Sequence, residues 1–365
     1  MGKLSDEIFT VMFEPVKSCN ISCRHCYSNI KHGGLMSGEV LNLALEKIIS
    51  YTKQTGFKEI HFIWHGGEPL LAGIDFFKQA METVNRLFSA VCCRHFIQTN
   101  GLLLNDEFCS FFRDMNFEVG VSLDGPPDIH DKLRVAVEGT GTHKEVLNKV
   151  SLLEKHGVPP GFCAVVSGLS KGHEERIYQF FKKLGYGFRV NPLIPPRDYN
   201  ESREFLLKEG EYGKFLCRLF DVWTRTETGR IKVSPLDSYL RAILTGEPTE
   251  CQHQASCVGS HIGIRPGGDA VLCSRYEKYI LGNIREMSIN DIFASPLCNE
   301  IKRRANDLVK CRSCENRCIC HGGCPHNTVV FHHNIMDRDP FCKDYRIIFN
   351  HIRSAVKQYS NVGVN

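Results

Sequence analysis

The sequence predicts an α/β fold: a partial (β/α)6 TIM-type barrel followed by a small, cysteine-rich α+β region. Three observations predict it. Short apolar runs alternate with amphipathic stretches through the first half of the chain, in units of roughly 30 residues, as parallel strands covered by helices do. Residues suited to chemistry stand just after those runs, where a barrel of this kind places its active site. From Cys251 onward the chain becomes short-looped and dense in Cys and Gly, as expected where bound metal replaces a large apolar core.

Taken in order, Ile8–Glu14 reads as the first strand. Ser37 is an N-cap, and Leu41, Ala44, Leu45, Ile48 and Ile49 follow at helical spacing to a stop at Gly56. Glu59–Trp64 is the next strand and Ile74–Phe88 the next helix. His95–Thr99, Glu118–Leu123, Phe162–Ser167 and Phe188–Leu193 continue the strand series, with helices near Asp106–Met115, His143–His156 and Glu174–Leu184. His65-Gly66-Gly67-Glu68-Pro69, Thr99-Asn100-Gly101 and Asp124-Gly125 fall at the ends of strands two, three and four. Pro192, Pro195 and Pro196 close a first domain of residues 1–195. Helices over Tyr212–Thr226 and Leu236–Leu244 form a bridge, 196–249. Ile262–Arg265 and Ala270–Cys273, joined by Pro266-Gly-Gly-Asp269, read as a hairpin within a third domain, 250–345; a C-terminal helix and tail, 346–365, follow.

A chain of 365 residues is long enough for a barrel-sized domain and a smaller one. The net charge of +4 is spread without a basic block, so no nucleic-acid partner is expected. No apolar run approaches the roughly 18 residues that span a bilayer. The start, Met1-Gly-Lys-Leu-Ser-Asp-Glu, lacks the apolar core of a secretory signal, so a cytoplasmic location is expected. There the 18 cysteines point to metal binding rather than disulfides. Cys92, Cys93, Cys109, Cys163, Cys217, Cys298 and Cys318 stand outside the motifs and are expected to be small buried hydrophobes.

Cys19-Asn-Ile-Ser-Cys23-Arg-His-Cys26 sets three thiols in the loop after the first strand. Three thiolates suit a soft metal and leave one iron of a cubane without a protein donor, as a reactive cluster requires. Zinc with a fourth ligand such as His25 is the competing reading. The C-x3-C-x2-C spacing after a first barrel strand resembles the radical S-adenosylmethionine (SAM) family. The resemblance implies that the open iron chelates the amino and carboxylate groups of SAM, which is cleaved to methionine and a 5′-deoxyadenosyl radical. Gly66, Gly67 and Glu68, with Pro69, resemble the family's GGEP motif, implied to hold the SAM amino group. By the same resemblance His25 contacts adenine, Ser122 and Arg134 contact ribose and carboxylate, and Leu193 flanks the adenine.

The second field runs Cys251-x5-Cys257-x15-Cys273, then Cys311-x2-Cys314-x5-Cys320-x3-Cys324-x17-Cys342. Eight thiolates can fill two cubanes, although a pair of zinc ribbons has similar spacing. The pattern resembles the SPASM extension of radical SAM enzymes. That resemblance assigns Cys251, Cys257, Cys273 and Cys324 to auxiliary cluster I, and Cys311, Cys314, Cys320 and Cys342 to auxiliary cluster II, for three [4Fe–4S] clusters with SAM. Cys318 is left as a non-ligand.

SPASM enzymes mostly modify peptides or proteins. The anaerobic sulfatase-maturating enzymes, which make formylglycine from Cys or Ser, carry a catalytic Asp directly after the third cysteine of the field; here that position is Ser274, a poor base. The stretch Cys257-x-Gly259 to Leu281-Gly-Asn-Ile284 looks more like maturases of ribosomally made precursor peptides, which install cyclophane carbon–carbon or thioether crosslinks. Crosslinking is therefore the expected reaction, sulfatase maturation the alternative, and a zinc-stabilised non-enzymatic binding protein the alternative of another class. Removal of a side-chain hydrogen, at Cβ, is implied, with Asp237, Asp269 and Glu277 as candidate bases. The implied partners are a precursor peptide or protein substrate and a flavodoxin- or ferredoxin-type electron donor. Only 18 residues precede Cys19, so leader binding is expected to fall to a separate protein or to the barrel and bridge themselves.

Overall fold

The computed structural model describes residues 7–26, 28, 33–195, 203–273 and 279–362. The early elements are β1 (Ile8–Phe13), α1 (Gly38–Thr55), β2 (Glu59–Trp64), α2 (Ile74–Leu87), β3 (Cys92–Thr99), α3 (Asp106–Asp114), β4 (Phe117–Ser122), α4 (Pro127–Leu133) and α5 (His143–Lys155). Then come β5 (Pro160–Val166), α6 (Glu174–Leu184), β6 (Phe188–Pro192), α7 (Glu211–Arg225), β7 (Val233–Ser234) and α8 (Leu236–Thr245). The remainder holds β8 (His261–Ile264), β9 (Asp269–Val271), β10 (Ile280–Asn283), α9 (Ile289–Phe293), α10 (Pro296–Asp307), α11 (Arg317–Cys320), α12 (Pro325–His332) and α13 (Cys342–Val362). Two compact units interleave along the chain. The first comprises Met1–Ser122, Arg134–Gly161 and Cys257–Glu300; the second comprises Leu123–Leu133, Phe162–Ser256 and Ile301–Asn365.

In the first unit the strand order is β10-β9-β8-β1-β2-β3-β4. Strand β1 runs parallel to β2 from Ile8↔Glu59 to Phe13↔Trp64. Phe9, Val11 and Phe13 pair with Ile60, Phe62 and Trp64 on one fully buried face. There Phe9 meets Tyr51 of α1 at 5.0 Å between ring centroids, and Trp64 meets Phe77 of α2 at 5.6 Å. Each such ring removed from water contributes about 1.5–3 kcal/mol. Helix α1 begins where Ser37 Oγ accepts the Val40 N–H and ends at Gly56, whose φ of 79° suits only glycine without strain. Both signals stand in the sequence.

The hairpin β8–β9 forms antiparallel, Gly263↔Val271 and Ile264↔Ala270. It does more than predicted: β8 also lies parallel to β1, Thr10↔His261 to Phe13↔Ile264, so it extends the main sheet. Ile262 and Ile264, two residues apart and both fully buried, give the strand one apolar face to lay into the core of that sheet.

In the second unit β5, β6 and β7 are parallel, with Phe162↔Phe188 and Phe188↔Val233 in register. Helix α13, longer than the C-terminal helix expected, lies along α7. The Asp344 carboxylate accepts the N–H groups of Gly213 (2.7 Å) and Gly210 (3.2 Å) at the start of α7. A Cβ on Gly213 would stand 2.6 Å from the Asp344 carbonyl oxygen, so only glycine lets the helices approach this closely.

The seven cysteines outside the motifs are not all buried hydrophobes. Cys109 and Cys298 are buried; Cys93, Cys163 and Cys217 are half-buried; Cys92 and Cys318 are exposed. Cys92 opens β3 and Cys318 lies on the single turn of α11, where one face meets water.

Candidate active site and cluster cavity

Cys19, Cys23 and Cys26 occupy the loop after β1, each half-buried. The Cys26 N–H donates to the Cys23 carbonyl (3.2 Å), and the Ser22 N–H to the Val135 carbonyl (2.8 Å). Ile21 also forms an antiparallel bridge with Ala136. The chain leaving β2 runs beside this loop: Gly67 N–H donates to Val16 O (3.1 Å) and Glu68 N–H to Ser18 O (2.9 Å). The two glycines are needed for that approach. A Cβ on Gly66 would stand 2.7 Å from Val16 O, and one on Gly67 would collide with Ser18 O.

Glu68 is fully buried. Its Oε1 accepts from Thr99 Oγ1 (2.6 Å) and Leu70 N–H (3.2 Å), and its Oε2 from Asn100 N–H (2.8 Å). Burial pushes its carboxyl up to about 7, against the pull of these three donors, and no cation offsets it among the described residues. Asn100 Nδ2 donates to Asn20 Oδ1 (2.7 Å) and lies 3.7 Å from Cys19 Sγ. Burial also raises the Cys19 thiol, opposed first by the Ile21 N–H. The end of β3 thus ties the glycine motif to the cysteine loop.

Of the other sequence-predicted contacts, three lie in the first unit and one in the second. His25 is buried in the loop itself. Ser122 Oγ, at the end of β4, accepts from Gln98 Nε2 of β3 (3.1 Å). Arg134 is buried and directly precedes Val135 and Ala136, which pair with the cysteine loop. Leu193, in the second unit, is buried in an apolar cluster with Leu133 and Phe205. Of the candidate bases, Asp237 pairs with Lys232 (3.4 Å) and Asp269 accepts from Asn283 Nδ2 across β9 and β10 (3.0 Å). Glu277 and Ser274 lie outside the described residues.

A second site lies wholly within the second unit. A cavity is lined by Cys311, Cys314, Cys320 and Cys342, with Asn316, Asp339, Arg317 and Arg346 on its wall. Cys318 is not on that wall. Cys311 ends a 3-10 turn, Cys320 ends α11 and Cys342 opens α13. Burial pushes the Cys320 thiol up to about 12.

Two buried charges hold these loops in place. Arg304 donates to the carbonyls of Ile335 (2.7 Å), Gly323 (2.8 Å), Gly322 (3.0 Å) and Asp337 (2.7 Å). Asp339 accepts from Cys324 N–H (2.7 Å), Asn327 Nδ2 (3.0 Å) and Phe341 N–H (2.9 Å), and burial pushes its carboxyl up to about 6.

Among the described residues no three His, Cys, Asp or Glu side chains converge on one ion-sized point. Four thiols around a cavity match a cubane, which carries its donors on separate irons. Asn316 strengthens the fit: both atoms of its side-chain amide are buried and have no hydrogen-bond partner, an arrangement costly unless something fills the cavity. Of the other four motif cysteines, Cys251 is exposed while Cys257, Cys273 and Cys324 are half-buried.

Comparison with known proteins defines the class first. The radical SAM superfamily model matches residues 13–184, and the SPASM model, an iron–sulfur cluster-binding domain, matches residues 251–318. A serine-type anaerobic sulfatase-maturating enzyme from Bacteroides thetaiotaomicron is 30% identical over 94% of this chain and 89% of its own length. A cysteine-type enzyme from Clostridium novyi is 30% identical over 93% and 94%. A structure of anSMEcpe with bound AdoMet superposes with a TM-score of 0.86 at 25% identity, over 97% of this chain and 99% of that one. Streptococcus suis SuiB with S-adenosylmethionine, 17% identical, shares the fold at a TM-score of 0.68 over 92% and 77%.

The chain belongs to the radical SAM enzymes with a SPASM domain, in the family of the anaerobic sulfatase-maturating enzymes. Its α/β fold is the one predicted, and [4Fe–4S] clusters and SAM are its cofactors. No described helix is long and apolar enough to cross a membrane.

Sequence reading gave Asn100 a place but no role, and missed Arg304, Asp339 and Asn316. Asn100 had a signal, its place in Thr99-Asn100-Gly101 at a strand end. The other three had none, because their roles come from burial between segments distant in sequence.

Proposed function

We propose that this enzyme oxidises the Cβ of a Cys or Ser side chain in a protein or peptide substrate, producing an aldehyde. The observation that carries the reading is likeness over nearly the whole chain to both serine-type and cysteine-type sulfatase-maturating enzymes. Cys19, Cys23 and Cys26 are assigned to the SAM-cleaving cluster. Glu68, Gly66 and Gly67 are assigned to the SAM amino group, and His25, Ser122, Arg134 and Leu193 to the rest of that molecule. Cys311, Cys314, Cys320 and Cys342 are assigned to auxiliary cluster II. Cys251, Cys257, Cys273 and Cys324 are assigned to auxiliary cluster I on family resemblance alone. When bound, the first cluster and SAM supply the radical that removes the substrate hydrogen. The chain's own part is to fix the cysteine loop against Gly66 and Gly67 and to present a buried carboxylate at Glu68. A flavodoxin- or ferredoxin-type protein is the proposed electron donor, and the cytoplasm the proposed compartment, given the cysteine count.

One observation favours a second reading. The family's catalytic carboxylate after the third cysteine of the field is replaced by Ser274. A crosslinking maturase, forming a cyclophane or thioether in a precursor peptide, would tolerate that loss, and a separate leader-binding protein would then be its partner. The two readings separate in one assay. Anaerobically reconstituted enzyme, SAM and a reductant are incubated with a Cys- or Ser-containing sulfatase peptide, and separately with a peptide bearing an aromatic residue two positions before a modifiable one. An aldehyde-trapping adduct on the first peptide is expected. No adduct there, with a fragmentation-resistant segment in the second peptide, would replace this reading with crosslinking.

A further inference from the structure

Asn316 stands at the N-cap of α11, between Cys314 and Cys320. An Asn there ordinarily turns its side chain back to accept a helix N–H. This one does not: its backbone sits at φ −94°, ψ 6°, away from the extended conformation of most N-caps, and its side chain makes no capping bond. Its backbone carbonyl accepts the Ile319 N–H (3.1 Å) instead. The side chain, 1% exposed, lies on the wall of the cavity lined by the four cysteines, and neither amide atom has a partner among the described residues. Whichever way the amide is turned, a buried NH2 group is left without an acceptor, at a cost of about 1–3 kcal/mol.

The acceptors that would complete this wall are sulfur atoms. Sulfide and thiolate are weak but anionic acceptors, and hydrogen bonds to them help set the reduction potential of an iron–sulfur cluster. The geometry points to Asn316 as a positioning residue that donates an N–H···S hydrogen bond to auxiliary cluster II and raises its reduction potential. The inference rests on the assignment of Cys311, Cys314, Cys320 and Cys342 to that cluster. The reduced cluster carries one more negative charge, so a donor stabilises it more than the oxidised form. Removing the donor makes reduction harder.

The test is a redox titration followed by EPR on the anaerobically reconstituted full chain, with iron and sulfide counted in the same samples. Asn316→Leu removes both polar atoms at similar size; Asn316→Asp keeps the shape but removes the NH2 donor. Both should keep wild-type iron, while one cluster's potential moves negative by about tenfold in its reduction constant, about 59 mV for one electron. The cluster that moves should be the one missing from Cys320→Ala. Unchanged potentials at full iron content would overturn the inference, as would loss of the cluster in both variants, since a tuning donor is not a ligand. If Cys320→Ala lost no iron, the ligand assignment itself would fail, a result distinct from either.

Discussion

The two described cysteine sites are built on opposite plans. Cys19, Cys23 and Cys26 lie within one short loop whose backbone is braced by β1, by the Val135–Ala136 segment and by the glycine motif after β2. Neighbouring Phe9, Val11, Phe13 and Trp64 are fully buried, so the first unit has an apolar core of its own. The second site draws its four thiols from Cys311 to Cys342 and ties their loops with single charges, Arg304 and Asp339, rather than a broad sheet. The difference implies that one site is a cradle on a finished fold, while the other is itself part of the fold. On the proposed assignment, metal at the first serves chemistry, and metal ligation at the second also contributes folding energy.

The largest effect should come from breaking the second site. Cys320→Ala is expected to lose about a third of the iron and to lower the melting temperature by about 10 °C, several kcal/mol in a unit of this size. Cys318→Ala, at an exposed position off the cavity wall, should change neither. Iron analysis with anaerobic calorimetry reads both, and a reversed outcome would mean that the cavity does not mark the ligands.

A smaller effect sharpens the comparison at the first site. Gly67→Ala pushes a methyl into the Ser18 carbonyl. It should cost about 1–3 kcal/mol and reduce SAM cleavage more than tenfold, because the cysteine loop must move. Gly56→Ala is the control: nothing lies within 4 Å of its Cβ, so only the left-handed backbone penalty of about 1–2 kcal/mol applies and SAM cleavage should persist. Equal loss of cleavage in both variants would argue against the cradle.

An effect on stability without loss of any cluster is a pH dependence. Glu68 holds its proton up to about 7 in the fold, against an ordinary 4.5. Between those values the native state binds more protons than the unfolded state, so the stability of cluster-free protein falls as pH rises, by up to about 3 kcal/mol. Glu68→Gln should flatten that slope when urea unfolding is compared near pH 5 and near pH 8. A slope that persists in the variant would assign it to other groups.

Much of the first unit was legible because each feature is local. Ser37 and Gly56 bound α1, and strand ends carry Glu68 and Asn100 where the periodicity places them. The family resemblance names Cys320, not Cys318, as a ligand, and Cys320 is the one of the two that lines the cavity. What sequence could not show depends on distant segments meeting. Strand β8 pairs with β1 across some 250 residues of chain, Arg304 gathers carbonyls from two loops, and Asn316 looks like an ordinary helix cap until its amide is seen to be unpartnered. The expectation of crosslinking rests on Ser274 and on the stretch from Cys257 to Ile284, local features weighed against a likeness that runs over nearly the entire chain.

The most direct test of the account is metal content measured alongside SAM cleavage, in the wild-type chain and in a variant with Cys19, Cys23 and Cys26 all replaced by Ala. Three cubanes predict about twelve iron and twelve sulfide, falling to about eight of each in the variant. SAM cleavage should be abolished while the melting temperature stays near wild type. Zinc in place of iron, or unchanged iron in the triple variant, would contradict it.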